Sequence, residues 1–193
     1  MNRRISRLAA GSALGLASVI LSAQQLPPWD ISVTEHSSAP SITTTIAART
    51  AEYRPKDPGA VFTVTLKLAS AGTSAPFRGV LSDIVVADTA GKTYSCIGVA
   101  MGGRYSLGIP AEIDGFLVLP SKQARFMAMP DGTGSLSFEI GAVGGQATLS
   151  LGLEGTATLG LAFAVPRGVD VIELRWPGRA PIALPRVRNV GVE

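Results

Sequence analysis

The chain has 193 residues, of which 17 are Lys or Arg and 14 are Asp or Glu, giving a net charge of +3 with histidine neutral. Three of those arginines lie in residues 1–23, which contain no acidic residue, so the chain from Gln24 onward is formally neutral. This neutrality argues against nucleic-acid binding, which depends on clustered positive charge. The single cysteine and single histidine exclude an intramolecular disulfide and a zinc site of the His/Cys type.

Residues 1–23 are predicted to be a signal peptide. Met1–Arg7 is a short basic head, Leu8–Leu21 is an apolar run rich in small residues, and Ser22–Ala23 places a small residue at the cleavage position. The apolar run is shorter than the roughly 20 residues of a membrane-spanning helix. We therefore expect cleavage after Ala23 and a mature chain without a membrane span, located outside the cytoplasm as a periplasmic or secreted protein. An uncleaved anchor is the alternative, and the choice between Sec and Tat export stays open.

The remaining chain is predicted to contain one all-β domain with irregular ends. Residues 24–40 contain Pro27–Pro28 and a Ser/Pro-rich end, which indicates an irregular leader in which Ile31–Val33 is at most a short strand. Residues 41–185 are expected to form the β domain, and residues 186–193 a C-terminal tail. One domain is the economical count for about 150 ordered residues.

Alternation of apolar and polar residues predicts the strands, and Gly or Pro clusters predict the turns between them. The clearest strand is Ala60–Ser70, which follows the proline-bounded loop Arg54–Gly59. The other predicted strands, in chain order, are Thr45–Tyr53, Val80–Asp88, Thr93–Val99, Ala124–Met129, Ser135–Ile140, Ala147–Leu153, Thr158–Val165, Val171–Trp176 and Ile182–Leu184. Three pairs flank predicted turns at residues 89–92, 130–134 and 154–157. About 8 or 9 of these ten segments are expected to be antiparallel strands, at a spacing that favours a sandwich or a barrel.

Two segments depart from this alternation. Ala142–Leu161 is rich in glycine and nearly uncharged, which fits either a strand pair covered on both faces or an edge that meets a partner. Gly98–Gly115 lacks a clear pattern and is predicted to be a long loop. Long loops in small domains are often functional.

Several segments resemble a known class of domain. They are the loop Pro55–Gly59 with the strand Val61–Leu68, the hairpin around Gly91–Tyr94, the segment Leu161–Gly168 and the strand Glu173–Trp176. This pattern, over roughly Ser41 to Leu184, resembles the small exported bacterial immunoglobulin-like domains that are mostly described as domains of unknown function. The resemblance implies an immunoglobulin-like β-sandwich and no catalytic residue.

Residues able to support catalysis or bind metal are few. His36 lies in the predicted leader, where a catalytic base would have no fixed position. Cys96 lies in an alternating strand without a basic neighbour, which favours a buried structural thiol over a reactive one. Asp114 and Asp131 are conceivable loop ligands for calcium, but no EF-hand motif is present. We therefore expect no catalytic residue, no metal and no cofactor.

The functional hypothesis is a non-catalytic exported domain that binds or braces another component of the cell envelope. Its partner would be an unknown envelope or extracellular protein. The candidate partner-binding residues are Arg104 and Tyr105 in the predicted Gly98–Gly115 loop, since Tyr and Arg are enriched among interface hot spots. The alternatives are a small-ligand carrier with a β-barrel cavity and an accessory subunit of an envelope enzyme.

Overall fold

The computed structural model describes residues 29–46, 49–70, 76–113, 116–120 and 122–185. The predicted signal peptide, the residues that follow it up to Pro28, and the tail 186–193 lie outside the described residues. The described residues form a 3₁₀ turn at Leu81–Asp83 and fifteen strands. The strands are β1 (Asp30–Ala39), β2 (Ile42–Ile46), β3 (Arg49–Tyr53), β4 (Gly59–Ala69), β5 (Phe77–Val80), β6 (Val85–Asp88), β7 (Thr93–Met101), β8 (Arg104–Leu107), β9 (Ala111–Ile113), β10 (Phe116–Val118), β11 (Gln123–Ala128), β12 (Gly134–Val143), β13 (Gln146–Pro166), β14 (Val171–Arg175) and β15 (Ile182–Ala183).

The fold is all-β and mostly antiparallel, as predicted. Thirteen of the described strands share one hydrogen-bonded sheet, whose main path runs β1-β4-β13-β7-β6-β14-β15, and β9 pairs with β10 separately. The one parallel contact among the described strands joins Thr44 of β2 to Tyr105 of β8. The described residues contain no helix of the length and hydropathy needed to cross a bilayer.

The long strand β13 changes partners halfway along its length. Its first half pairs with β12 and β5, and its second half pairs with β4 and β7. The change occurs at Gly155, whose φ of 64° lies in the left-handed region. The sequence predicted a turn at residues 154–157 and two separate strands, and that prediction is wrong. A glycine in this conformation bends the chain without ending its pairing, because Gly155 itself stays in register with Gly134.

Side chains of β4 are buried in two different apolar clusters, on opposite faces of the sheet. Phe62, Leu66 and Leu68 belong to the larger cluster, together with both tryptophans and the inner faces of β12 and β13. Val61 belongs to a smaller cluster that is covered by β2, β3 and β9. Each fully buried leucine in these clusters contributes about 1.5–3 kcal/mol relative to exposure.

The irregular leader predicted for residues 24–40 is wrong for Asp30–Ala39, which form the whole of β1. This strand pairs antiparallel with β4, from Asp30 opposite Ala69 to Ala39 opposite Val61. Trp29, just before it, is buried in the larger cluster. The strand can be mostly polar since many of its side chains face solvent, and the backbone groups on one of its edges pair with β4. The β domain therefore includes residues before Ser41.

The long loop predicted for Gly98–Gly115 is also wrong over most of its length. Strand β7 continues to Met101, a two-glycine turn at Gly102–Gly103 follows, and β8 pairs back onto β7. Strand β9 then occupies Ala111–Ile113. These short strands explain part of the difference between the 8 or 9 strands expected from the sequence and the fifteen found in the described residues.

Candidate functional site

The β7–β8 hairpin positions both candidate residues, Arg104 and Tyr105. Gly102 and Gly103 form the tight turn of this hairpin, and their φ angles of 62° and 79° lie in the left-handed region that such a turn requires. Arg104 then pairs with Met101, and Tyr105 pairs with Ala100. Consecutive strand residues point to opposite faces, so the two side chains diverge. Arg104 is exposed, whereas Tyr105 is half-buried.

The Tyr105 side chain lies close to Gly160 of β13, where the absence of a side chain leaves room for it. A Cβ at Gly160 would lie 3.4 Å from the Tyr105 hydroxyl oxygen and 2.9 Å from Ala100 Cβ. Burial raises the pKa of the Tyr105 phenol, and the hydroxyl of Thr63 partly opposes that change. The phenol is therefore neutral and able to donate a hydrogen bond at physiological pH.

Tyr105 forms one wall of a surface depression of about 300 Å³, which we call the Tyr105 groove. Its other walls come from the Gly102–Gly103 turn, the threonine-rich outer face of β4 and β13, and the end of β11. The lining of the groove includes Tyr105, Met127, Met129, Pro130, Thr158 and Gly160. Arg104 is not part of this lining. The structure thus places Tyr105 in a groove and Arg104 on the same hairpin outside it.

A second depression, of about 420 Å³, was not anticipated from the sequence. We call it the Tyr53 cleft, and its lining comes from the end of β3, the loop before β4, the start of β7 and the end of β13. The residues that define it are Tyr53, Pro55, Lys56, Pro58, Gly59, Lys92, Tyr94, Ala164, Val165 and Pro166. The proline-bounded loop was visible in the sequence as a turn signal, but nothing local indicated that Lys92 and Tyr94 lie beside it.

An aspartate turn fixes one wall of the Tyr53 cleft. The Asp88 carboxylate accepts hydrogen bonds from the backbone N–H of Ala90 and Lys92, each at 2.9 Å, and from the Tyr94 hydroxyl at 2.9 Å. The Lys92 ammonium lies 5.4 Å from the centre of the Tyr94 ring. Burial opposes ionisation of Asp88, but these hydrogen bonds outweigh it and leave the pKa of the carboxyl below its ordinary value. The hairpin predicted around residues 89–92 is confirmed.

The structure places the remaining chemical candidates apart from one another. His36 lies in β1, where its Nε2 contacts the Pro185 carbonyl and its ring lies 5.5 Å from the Phe62 ring. Asp131 accepts hydrogen bonds from the backbone N–H and hydroxyl of Thr133 within its own turn, which lowers the pKa of its carboxyl. Asp114 lies outside the described residues. Within the described ranges, no three His, Cys, Asp or Glu side chains are grouped closely enough to bind a metal ion.

Cys96 is a buried free thiol, as the sequence predicted. It is 2% exposed, and its Sγ–H donates to the Gly98 carbonyl at 3.3 Å. Burial raises the pKa of the thiol to about 12, because a thiolate there would lose its hydration. The nucleophilic form is therefore scarce at neutral pH.

Comparison with known proteins adds no assignment. No protein-family model matches the chain, and neither a curated protein nor a solved structure matches it.

Proposed function

We propose that the chain is an exported, non-catalytic domain of the immunoglobulin-like sandwich type that binds or braces a protein of the cell envelope. The basic head and the apolar run within residues 1–23 support export. The all-β fold and the large apolar cluster shared by its strands support a rigid scaffold. On such a scaffold, a partner would bind through preformed surface features rather than by folding on contact.

The Tyr105 groove is the observation that carries this proposal. Tyrosine offers a large, rigid contact surface with a hydrogen-bonding end, and it is enriched at interface hot spots. Met127 and Met129 add flexible, polarisable side chains, which adapt to partner surfaces. Met127 lies in β11, which pairs with β12, and Met129 follows the end of that strand. Arg104 is exposed on the same hairpin but does not line the groove, so the proposal rests on Tyr105 rather than on Arg104.

Site-specific photocrosslinking tests the proposal. A photoreactive amino acid at Thr158, an exposed residue that lines the groove, is expected to crosslink the exported chain to one envelope protein. The matched control is the same amino acid at Thr43, an exposed strand threonine outside the groove. Replacing Tyr105 with alanine is expected to reduce the Thr158 crosslink, because Tyr105 lines the same groove. Equal crosslinking from the two positions would contradict the proposal.

A further inference from the structure

The Tyr53 cleft combines two cationic side chains with a rigid apolar wall. We propose that it binds a small organic anion, whose carboxylate or phosphate is held by Lys56 and Lys92 and whose apolar body packs against Tyr94 and the prolines. This inference is independent of the proposed function, because the Tyr53 cleft and the Tyr105 groove share no lining residue.

Neither lysine of the cleft forms an ion pair with a carboxylate among the described residues. In the described part of the chain, the ion pairs include Arg54 with Glu52 at 3.0 Å and Arg167 with Asp57 at 3.5 Å, but none that involves Lys56 or Lys92. The nearby carboxylate of Asp88 is held by three hydrogen-bond donors. These donors keep Asp88 ionised, and its charge offsets part of the charge of Lys92. Lys56, Lys92 and Asp88 together still carry a net positive charge, which a ligand anion can neutralise.

Tyr53 lines the cleft and also a neighbouring depression next to Glu112. Its side chain lines the cleft although the residue is only 7% exposed. Among the described residues its hydroxyl has no hydrogen-bond partner, and it is not one of the polar atoms sealed from solvent. Burial raises the pKa of Tyr53, which keeps the hydroxyl protonated at physiological pH. A solvent-accessible hydroxyl without a protein partner on a residue that lines the cleft can donate to an oxygen of the ligand.

The apolar side of the cleft favours an organic anion over an inorganic one. Pro55, Pro58 and Pro166 have no N–H to donate, and their rings restrict the backbone, so they present a preformed apolar surface. Val165 and the Tyr94 ring extend that surface. The volume of about 420 Å³ lies within the usual range for small-ligand sites. A bare inorganic anion would leave this apolar wall without a contact.

Titration followed by NMR tests the inference on the chain expressed from its complete sequence. Benzoate and phenyl phosphate are the two organic anions tested. Benzamide is the neutral counterpart of benzoate, and inorganic phosphate is the counterpart of phenyl phosphate without a ring. At low salt, at least one anionic probe is expected to shift the amide signals of Gly59, Lys92 and Val165 with saturation below about 10 mM. Benzamide is expected to bind at least about tenfold more weakly, because it lacks the charge. The better probe identifies the anionic group as carboxylate or phosphate.

Matched variants connect binding to the named residues. Lys56 and Lys92 are exposed, so the double variant Lys56→Gln/Lys92→Gln is expected to fold normally and to weaken binding at least about tenfold. Tyr53→Phe keeps the ring and is expected to weaken binding about threefold or more. Lys67→Gln/Arg78→Gln removes the same charge from exposed positions outside the cleft and is expected to leave binding unchanged.

Four results would overturn the inference. They are the absence of saturable shifts with both anions, equal binding of benzamide, unchanged binding in the Lys56/Lys92 variant, and equal affinity for inorganic phosphate and phenyl phosphate. The last result would show that the apolar wall takes no part.

Discussion

Replacing Gly155 with alanine tests whether the bend in β13 requires a residue without a side chain. Gly155 has φ of 64°, and a Cβ there would lie 2.1 Å from the Thr133 carbonyl oxygen. An L-residue in the left-handed region costs about 1–2 kcal/mol. Admitting a methyl group into a closed contact costs about 1–3 kcal/mol more. Alanine also has less conformational freedom than glycine in the unfolded chain, which offsets about 0.4–1 kcal/mol of this destabilisation. We expect the free energy of unfolding to fall by about 2–4 kcal/mol.

Gly144 provides a matched control for the backbone contribution. Its φ of 58° is close to that of Gly155, but a Cβ there would have no atom within 4 Å. Gly144→Ala therefore keeps the conformational cost and lacks the clash, so it should destabilise the fold by about 1 kcal/mol. The difference between the two variants in free energy of unfolding therefore measures the cost of the clash between a Cβ at Gly155 and the Thr133 carbonyl.

Urea unfolding followed by tryptophan fluorescence measures both variants. Trp29 and Trp176 are each 1% exposed, so unfolding transfers both indoles from the core to water. Linear extrapolation then gives the free energy of unfolding for each chain. If Gly155→Ala costs no more than Gly144→Ala, the bend does not depend on the missing side chain, and our account of β13 is refuted.

Three further predictions concern Cys96, Asp88 and the first residue of the exported chain. The Cys96 thiol should not react with a disulfide reagent such as Ellman's reagent in the native chain at pH 8, and it should react fully in denaturant, because burial raises its pKa to about 12; rapid native reaction would contradict its burial. Asp88→Asn should lower stability at pH 7, since its hydrogen bonds lower the pKa of Asp88 below the ordinary value near 3.8. A lowered pKa stabilises the fold above that ordinary value and ceases to do so as pH falls through the folded value. The difference between native chain and variant in acid unfolding curves should therefore shrink below about pH 4, and a constant difference would contradict this role. The exported chain should begin at Gln24 by intact mass, and a mass that includes residues 1–23 would support the uncleaved anchor instead.

Local sequence patterns predicted those parts of the fold that depend on neighbouring residues. The alternation in Ala60–Ser70 predicted β4 and its buried face, and the turn around Asp131–Gly132 predicted the β11–β12 hairpin. The predicted strand Val171–Trp176 is β14, and Trp176 just after it is buried with its ring 5.2 Å from the Phe77 ring. In each case the periodicity or the turn chemistry is contained in a short window.

The sequence could not predict features that depend on distant pairing. Strand β1 has little apolar alternation and exists because its backbone pairs with β4, about 30 residues later along the chain. Gly155 was interpreted as a turn residue, since only its contact with Thr133 and Gly134 distinguishes a bend from a turn. The Tyr53 cleft unites segments from three distant parts of the chain, and no short window contains them.

The most direct test of a protein-binding function is affinity capture of the tagged, exported chain with quantitative mass spectrometry. Three chains are compared: the native sequence, Thr158→Arg, which fills the Tyr105 groove from an exposed position, and Thr43→Arg, which adds the same charge elsewhere. We predict one envelope protein at near-equimolar amounts with the native chain and with Thr43→Arg, and at least about tenfold less with Thr158→Arg. Recovery of the same proteins in the same amounts from all three chains would contradict the account.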